Sequence, residues 1–214
     1  MSNIPVIAID GTAASGKGTM ARRIAADLGW AYLDTGLLYR RVALTLLEKK
    51  IPADNIEAAT NAALTLDAGT LNDPALRGAE AGRDASVVAA MPPVRAALLE
   101  FQRNFPANSG KPGAILDGRD IGTVIFPDAV LKFYVDAAVE IRAQRRHREL
   151  IAQGLEISEE KVLADMKIRD ARDSGRPNAP MIAAPEAIFI DTSTMTPDEV
   201  LAFALQHVRI QQAL

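Results

Sequence analysis

A glycine-rich stretch near the start of the chain combines small residues with one lysine. Residues 11–19 read GTAASGKGT; an apolar, β-branched run precedes them at 4–10, and residues 17–28 carry apolar side chains at helical spacing. Small residues let backbone N–H groups turn inward around phosphate oxygens, and the helix N-terminus adds partial positive charge. The pattern G-x-x-x-x-G-K therefore predicts a loop for nucleotide phosphates, with Lys17 on the β- and γ-phosphates.

The residue after the lysine departs from the commonest form of this loop. Gly18 stands where many such loops carry Ser or Thr, and the hydroxyl comes one position later, at Thr19. A loop that ends in GKGT is typical of nucleoside monophosphate kinases rather than of GTPases, and we expect Thr19 to contact magnesium, directly or through water. A simple tight turn between a strand and a helix is the alternative interpretation.

A second polar cluster, DGRD at residues 117–120, follows a buried strand pattern. Because the carboxyl ends of strands face the ligand crevice in open α/β sheets, we expect Asp117 to hold magnesium and Arg119 to reach the phosphates. A loop salt bridge between Arg119 and either Asp117 or Asp120 is the alternative.

A third cluster lies in a charged stretch at 158–174 that has a helical pattern. The spacing i, i+3, i+4, i+7 predicts one shared helix face, and like charges on one face repel each other unless an anion meets them. A solvated charged helix is the alternative. The four residues are Arg169, Arg172, Asp173 and Arg176. Upstream, one or two of Arg142, Arg145, Arg146 and Arg148 could touch ATP, and the rest are expected to be solvated.

Composition excludes several classes of protein. The chain has 214 residues, a net charge of −3 and a pI of about 5.5, which argues against a general nucleic-acid-binding protein. It has no cysteine and only two histidines, so disulfides, thiol catalysis and a histidine-built metal site are not expected. The sequence shows neither a membrane-spanning run nor a signal-peptide pattern. We therefore expect a cytoplasmic protein with no membrane or nucleic-acid partner.

Alternating strand and helix patterns predict one α/β domain over residues 1–214. Strands separated by helices imply a parallel sheet covered on both faces. Two stretches rich in Gly, Pro and small residues, 69–84 and 104–113, are expected to be loops. The predicted strands are 4–10, 30–33, 114–117, 129–136 and 187–191, and the predicted helices are 17–28, 36–49, 55–68, 87–105, 137–153, 158–174 and 197–212.

Three further stretches make the interpretation more specific. They are YLDTGLLYRRVAL at 32–44, LDGRDIGTVIFPDAVLKFYVDA at 116–137 and IRDARDSGRPNAPM at 168–181. Together with the GKGT loop, they resemble the bacterial cytidylate kinase family over residues 4–208. That family transfers the γ-phosphate of ATP to CMP or dCMP.

The resemblance implies a phosphate-loop nucleoside monophosphate kinase fold with a five-stranded parallel sheet flanked by helices. It also implies a mobile lid at 154–178, which would exclude water when closed, and a small monophosphate-binding region at 35–105. The family carries a small β-rich insertion in that region. Here the corresponding segment, 69–84, is shortened and has little strand signal.

Two phosphate chains must meet in line, so catalysis depends on positioning and charge neutralisation, which guanidinium groups supply well. The resemblance assigns ATP binding to Gly11, Thr12, Ala13, Ala14, Ser15, Gly16, Lys17, Gly18 and Thr19. It assigns catalysis to Lys17, Arg119 and Arg172, and the Mg²⁺ that accompanies ATP to Thr19 and Asp117. It assigns CMP contacts to Thr35, Arg40 and Arg119 at the phosphate, Asp173 and Arg169 at the ribose, and Ser86, Arg95, Asp120 and Arg176 at the base.

Taken alone, several of these residues have ordinary interpretations. Arg40 and Arg95 could be solvated helix residues, and Thr35 and Ser86 could be helix caps. A kinase of UMP, AMP or another small acceptor is the alternative enzyme, and a GTPase or ATPase switch is the alternative class. No N-K-x-D motif for guanine is present. We expect a monomer.

Overall fold

The computed structural model describes residues 4–212. The alternating pattern predicted a parallel sheet, and the structure has one sheet of five parallel strands in the order β2-β3-β1-β4-β5. The strands are β1 (Val6–Gly11), β2 (Ala31–Asp34), β3 (Ala114–Gly118), β4 (Leu131–Asp136) and β5 (Ile188–Asp191).

Helices connect the strands and cover both faces of the sheet. They are α1 (Lys17–Leu28), α2 (Thr35–Glu48), α3 (Ile56–Leu64), α4 (Ala79–Val88), α5 (Pro92–Asn108), α6 (Val139–Ala152), α7 (Glu159–Ser174) and α8 (Pro197–Gln212). Short 3₁₀ turns occupy Ala68–Asn72 and Pro74–Arg77, and a wide helical turn occupies Ile121–Ile125. No helix within residues 4–212 has the length and apolar character needed to cross a bilayer.

Alternation along β1 builds the two sides of the main core. Ile7 and Ile9 face α1 and α8 together with Phe133, whereas Val6 and Ala8 face the opposite layer that includes part of α5. Each fully buried aliphatic side chain contributes about 1.5–3 kcal/mol, so burial on both faces holds the strand in register. The carboxyl ends of the strands consequently meet at one edge of the sheet.

A separate layer of helices lies beside that edge. Helices α2, α3, α4 and α5 pack around their own apolar cluster, and the described chain forms no strand between residues 35 and 113. The absence of a strand in this part of the described chain agrees with the weak strand signal at 69–84.

The two predicted loops are partly helical. Residues 79–84 belong to α4, because Ala81, Ala85 and Val88 form a buried stripe that was missed among the small residues. Helix α5 continues through Pro106 to Asn108 rather than ending at 105 as predicted. Proline removes one N–H from the helix ladder, and so close to the end of α5 the helix tolerates that loss.

Candidate active site

The phosphate loop joins β1 to α1 in a conformation that its small residues permit. Gly11 has φ 144°, and a Cβ there would lie 1.9 Å from the Val135 carbonyl oxygen. Gly16 has φ 90° and immediately precedes α1. Thr12 Oγ1 donates to Asp136 Oδ1 at 2.5 Å, and Ser15 Oγ donates to the Thr12 carbonyl at 3.0 Å. The loop is therefore tied to the end of β4 as well as to itself.

Lys17 bends back over this loop. Its Nζ donates to the Thr12 carbonyl at 3.3 Å, and burial, followed by the charge of Arg119, lowers the pKa of the ammonium group. A carbonyl is a weak partner for a buried ammonium ion, whereas phosphate oxygens would compensate its charge in full. This arrangement supports the predicted role of Lys17.

Asp117 ends β3 directly beside the loop. Tyr32, which sequence reasoning did not single out, donates its hydroxyl to Asp117 Oδ2 at 3.0 Å. Burial, and then the neighbouring Asp34, raise the pKa of the Asp117 carboxyl group. A Cβ at Gly18 would stand 3.0 Å from Asp117 Oδ2. The glycine after Lys17 therefore leaves room for this carboxylate, and that explains the departure from the usual loop pattern.

Thr35 is the first residue of α2, and its hydroxyl donates to the Asp117 carbonyl at 2.8 Å. The N-cap position belongs to Asp34, so the alternative interpretation of Thr35 as a cap is wrong. Its hydroxyl instead ties α2 to the end of β3, where it lies beside the predicted magnesium and phosphate residues.

Asp173 is the meeting point of three segments. Its carboxylate accepts from Ser86 Oγ at 2.8 Å and from Arg119 Nε at 3.1 Å, and it lies 3.7 Å from Arg169 Nε. Burial raises the pKa of Asp173, but Arg119 and Arg169 more than offset this effect and hold the pKa below its usual range. Three of the other residues assigned to the acceptor by resemblance thus come together around this buried carboxylate.

This cluster corrects two alternative interpretations. Ser86 lies inside α4 and is buried, so it is not a helix cap. Arg119 pairs with Asp173 rather than with Asp117 or Asp120 in a local loop salt bridge. The first follows from the start of α4 at Ala79, and the second from the packing of α7 against α4, which brings the distant Asp173 carboxylate within reach.

A second ion pair lies beside the first. Arg95 donates to the Asp120 carboxylate through Nη2 and to Tyr39 Oη at 3.2 Å through Nη1. Arg176 reaches the Ala89 carbonyl at 3.4 Å, while its Nε and Nη2 are buried without a hydrogen-bond partner among residues 4–212. Unsatisfied buried donors are costly, so this pocket is suited to a ligand that supplies acceptors.

Arg176 does not share a helix face with Arg169 and Asp173, because α7 ends at Ser174. The expectation from the i+7 spacing is therefore wrong, although Arg176 still reaches the site through the chain that follows α7. Arg172 is half-buried and has neither an ion pair nor a side-chain hydrogen bond within residues 4–212. The structure thus leaves Arg172 outside the cluster around Asp173.

Arg40 turns toward the segment between α3 and α4. It donates to the Leu76 carbonyl at 2.8 Å and contacts the Gly78 carbonyl at 3.4 Å. Burial, and then Arg146, lower the pKa of Arg40 to about 10, and burial and Arg119 lower that of Arg169 to about 9. These partly buried cations disfavour one another's charge, and an anion placed between them would relieve the repulsion.

Arg142 is a site residue whose place the sequence did not reveal. Instead of belonging to a solvated face, it is buried and reaches Asp170 at 2.8 Å and the Ala13 carbonyl at 3.4 Å. It also lies 3.6 Å from Asp136, which holds the phosphate loop. Arg142 therefore links α7 to that loop, and no helical periodicity could indicate these partners.

The comparisons with known proteins agree with this geometry. A model of the cytidylate kinase family matches residues 7–210. A cytidylate kinase from Rhodospirillum rubrum is 53% identical over 202 residues, which cover 94% of this chain and 95% of the relative. A cytidylate kinase from Caulobacter vibrioides is 48% identical over 208 residues, which cover 97% of both chains.

Solved structures share the fold at much lower identity. A protein from Thermus thermophilus has a TM-score of 0.51 at 21% identity and covers 98% of both chains. A gluconokinase from Sinorhizobium meliloti has a TM-score of 0.50 at 13% identity, covering 98% of this chain and 95% of that chain. The family match over nearly the whole chain, together with the phosphate loop and the arginine clusters beside it, leads to one conclusion: the chain belongs to the cytidylate kinase family.

Proposed function

We propose that this site transfers the γ-phosphate of ATP to CMP or dCMP, giving ADP and the nucleoside diphosphate. The observation that carries the proposal is the meeting of the phosphate loop with two arginine–carboxylate clusters, one around Asp173 and one around Asp120, at the carboxyl edge of the sheet. Family membership favours this acceptor over UMP, AMP or a small metabolite.

The donor phosphates bind in the loop at 11–19. Its backbone N–H groups and the start of α1 supply partial positive charge, and Lys17 exchanges the Thr12 carbonyl for β- and γ-phosphate oxygens. An oxygen of the CMP phosphate then attacks the γ-phosphorus, a new P–O bond forms, and the bond to the bridging oxygen of ADP breaks. No covalent intermediate with the protein is needed, so positioning and charge neutralisation carry the catalysis.

Oxygen ligands beside the loop fit the Mg²⁺ that accompanies ATP. We propose Thr19 and Asp117 as its protein contacts, directly or through water, because Asp117 Oδ2 lies against the backbone at Gly18. Within residues 4–212 no group of three or more His, Asp or Glu side chains could form an all-protein cage. Mg²⁺ usually binds through one or two protein ligands plus phosphates and water, and when bound it neutralises charge on the phosphates.

The acceptor would replace contacts that the protein now makes with itself. We propose that the CMP phosphate takes Arg119 and Arg40 from their present partners, Asp173 and backbone carbonyls, with Thr35 nearby. Asp173 and Arg169 are then available for the ribose hydroxyls. This exchange requires little new desolvation, because the arginines concerned are already partly buried.

Base recognition follows from donor and acceptor patterns. Cytosine presents acceptors at O2 and N3 and a donor at its 4-amino group. Arg95, Ser86 and Arg176 can donate, and the Asp120 carboxylate is the acceptor that the amine requires. Uracil presents a donor at N3 and an acceptor at position 4, which would leave these buried groups mismatched.

We propose that residues 154–178 act as a lid and that Arg172 moves onto the transferring phosphate when the lid closes. The half-buried, unpaired state of Arg172 among the described residues supports this, because no existing contact has to break. Closure would exclude water and prevent hydrolysis of ATP. The lid would act together with a monophosphate-binding region, which we propose at 35–105. We also propose that the protein is a monomer, since one chain supplies every residue named here, and that it works in the cytoplasm.

A coupled assay of ADP formation over a panel of nucleoside monophosphates tests the function. We expect CMP and dCMP to exceed UMP and AMP in kcat/KM when Mg²⁺ and ATP are saturating. If AMP or a non-nucleotide were the best acceptor by tenfold, the proposed acceptor would be wrong while the fold and the phosphate loop would stand.

A further inference from the structure

Asp10 is a buried carboxylate that none of the steps above uses. It lies near the end of β1 with 4% of its surface exposed. Its Oδ1 accepts from the Ile121 N–H and its Oδ2 from the Gly122 N–H, each at 2.7 Å. Both oxygens of one side chain are therefore committed to a segment more than 100 positions away.

Those two amides belong to the wide turn Ile121–Ile125, which begins directly after the DGRD stretch. The first N–H groups of a helical turn have no partner within the turn, and an Asp at the cap position normally accepts from the second or third of them. Asp120 stands at that position but makes no side-chain cap. Its carboxylate instead pairs with Arg95, while its backbone carbonyl accepts from Val124 at 2.9 Å.

Asp10 thus satisfies the Gly122 amide, the second of the turn, which an N-cap Asp120 would otherwise satisfy. If this amide lost Asp10, the Asp120 carboxylate at the cap position would be placed to accept from it. Turning toward the amide would take the Asp120 carboxylate away from Arg95. The turn is closely packed at Gly122, where a Cβ would lie 3.0 Å from Lys132 Cδ.

We propose that Asp10 is a positioning residue for acceptor recognition, which keeps the Asp120 carboxylate directed at Arg95 by satisfying the amides of Ile121 and Gly122. The inference rests on the proposed cytidylate kinase function, since it concerns the contact to the cytosine amine. By fixing the turn, Asp10 also helps to position Arg119, which lies two residues before Ile121 and pairs with Asp173. Asp10 itself touches neither nucleotide in this scheme.

The test compares Asp10→Asn with Asp198→Asn. The asparagine keeps one acceptor for Ile121 but presents an NH₂ group to Gly122, whereas Asp198 is an exposed carboxylate paired with Arg23 on the far side of α1. In Asp10→Asn we expect KM for CMP to rise about tenfold, the effect of one unsatisfied buried donor, and the CMP/UMP ratio of kcat/KM to fall several-fold. KM for ATP should stay within about twofold in both variants.

Amide hydrogen exchange tests the same contacts independently of enzyme activity. By NMR in the absence of nucleotide, the amides of Ile121 and Gly122 should be protected from exchange in the wild type. The Gly122 amide should exchange faster in Asp10→Asn than in the wild type, and its exchange rate should be unchanged in Asp198→Asn. If Asp10→Asn folds poorly, Asp10→Ser, which offers one smaller uncharged acceptor, is assayed in the same way.

Either of two results would overturn the inference. One is a folded Asp10→Asn in which the KM values for CMP and ATP rise together, or in which only the melting temperature falls. The other is unprotected Ile121 and Gly122 amides in the wild type. A wild type that prefers AMP would contradict the proposed function instead. The role of Asp10 would then be tested by the change in KM for AMP in Asp10→Asn.

Discussion

Ser86 Oγ and Asp173 Oδ1 are joined by a buried hydrogen bond of 2.8 Å, although they are 87 positions apart in the chain. Ser86 belongs to α4 and Asp173 to the last turn of α7, so this bond connects the region proposed to bind the monophosphate to the segment proposed as a lid. The same carboxylate holds Arg119 at the end of β3. Three elements that must cooperate in binding CMP are therefore already in contact.

Ser86→Ala removes a single hydroxyl donor, which is bonded to Asp173 here and which we propose turns to the base when CMP binds. We expect KM for CMP to rise about three- to tenfold, in line with about 1 kcal/mol for a single hydrogen bond, with little change in kcat. Ser109→Ala, which removes a hydroxyl bonded to the Pro106 carbonyl at 2.7 Å, is the matched control. A lower Tm of Ser86→Ala with an unchanged KM for CMP would show that Ser86 has only a structural role.

Lys17→Met should leave the fold intact, because the loop conformation depends on its glycines and on the bonds of Thr12 and Ser15. Removing a charge that acts on the transferring phosphate should cost about 10²- to 10³-fold in kcat. Circular dichroism and steady-state rates measure both effects, and Lys111→Met, which removes an exposed lysine between α5 and β3, is the control. A Lys17→Met variant that keeps more than a tenth of kcat would contradict the assigned role.

Arg95→Ala and Arg119→Ala should separate base recognition from phosphate binding. Arg95 pairs with Asp120 in the base pocket, so its loss should lower the CMP/UMP ratio of kcat/KM. Arg119→Ala should lower kcat/KM for CMP and for UMP by about the same factor, because both substrates carry the phosphate. Arg23→Ala, an exposed arginine on α1, serves as control. If Arg119→Ala changed the ratio more than Arg95→Ala, the two pockets would be assigned to the wrong residues.

Asp10 should also make stability depend on pH. Burial raises the pKa of Asp10 from 3.8 to about 6, an effect only partly offset by the amides of Gly122 and Ile121. A raised carboxyl pKa means that this group's contribution to stability is fully present below pH 3.8 and is lost as pH rises through about 6. In urea unfolding, the free energy of unfolding of the wild type should fall by about 2–3 kcal/mol more than that of Asp10→Asn as the pH rises from 4 to 7. Parallel pH profiles for the two proteins would contradict this assignment.

The local parts of the site were predictable from the sequence. Residues 11–19 are contiguous, and their chemistry depends on small side chains, left-handed glycines and a helix start, all of which act over a few positions. The strands at 4–10 and 114–117 were also found, because burial on both faces produces an apolar run. That β3 lies next to β1, so that Asp117 ends its strand beside the phosphate loop, was decided by the sheet order in the structure.

Only the tertiary structure decided which side chains meet. The spacing of Arg169 and Asp173 indicated a shared helix face, but it could not show that Ser86 and Arg119 lie against that face, or that Arg176 lies past the helix end. Periodicity records which side of an element is apolar, since that side packs on the core. A buried polar pair depends instead on how two whole elements dock, so the bonds from Asp10 to Ile121 and from Ser86 to Asp173 left no local pattern in the sequence.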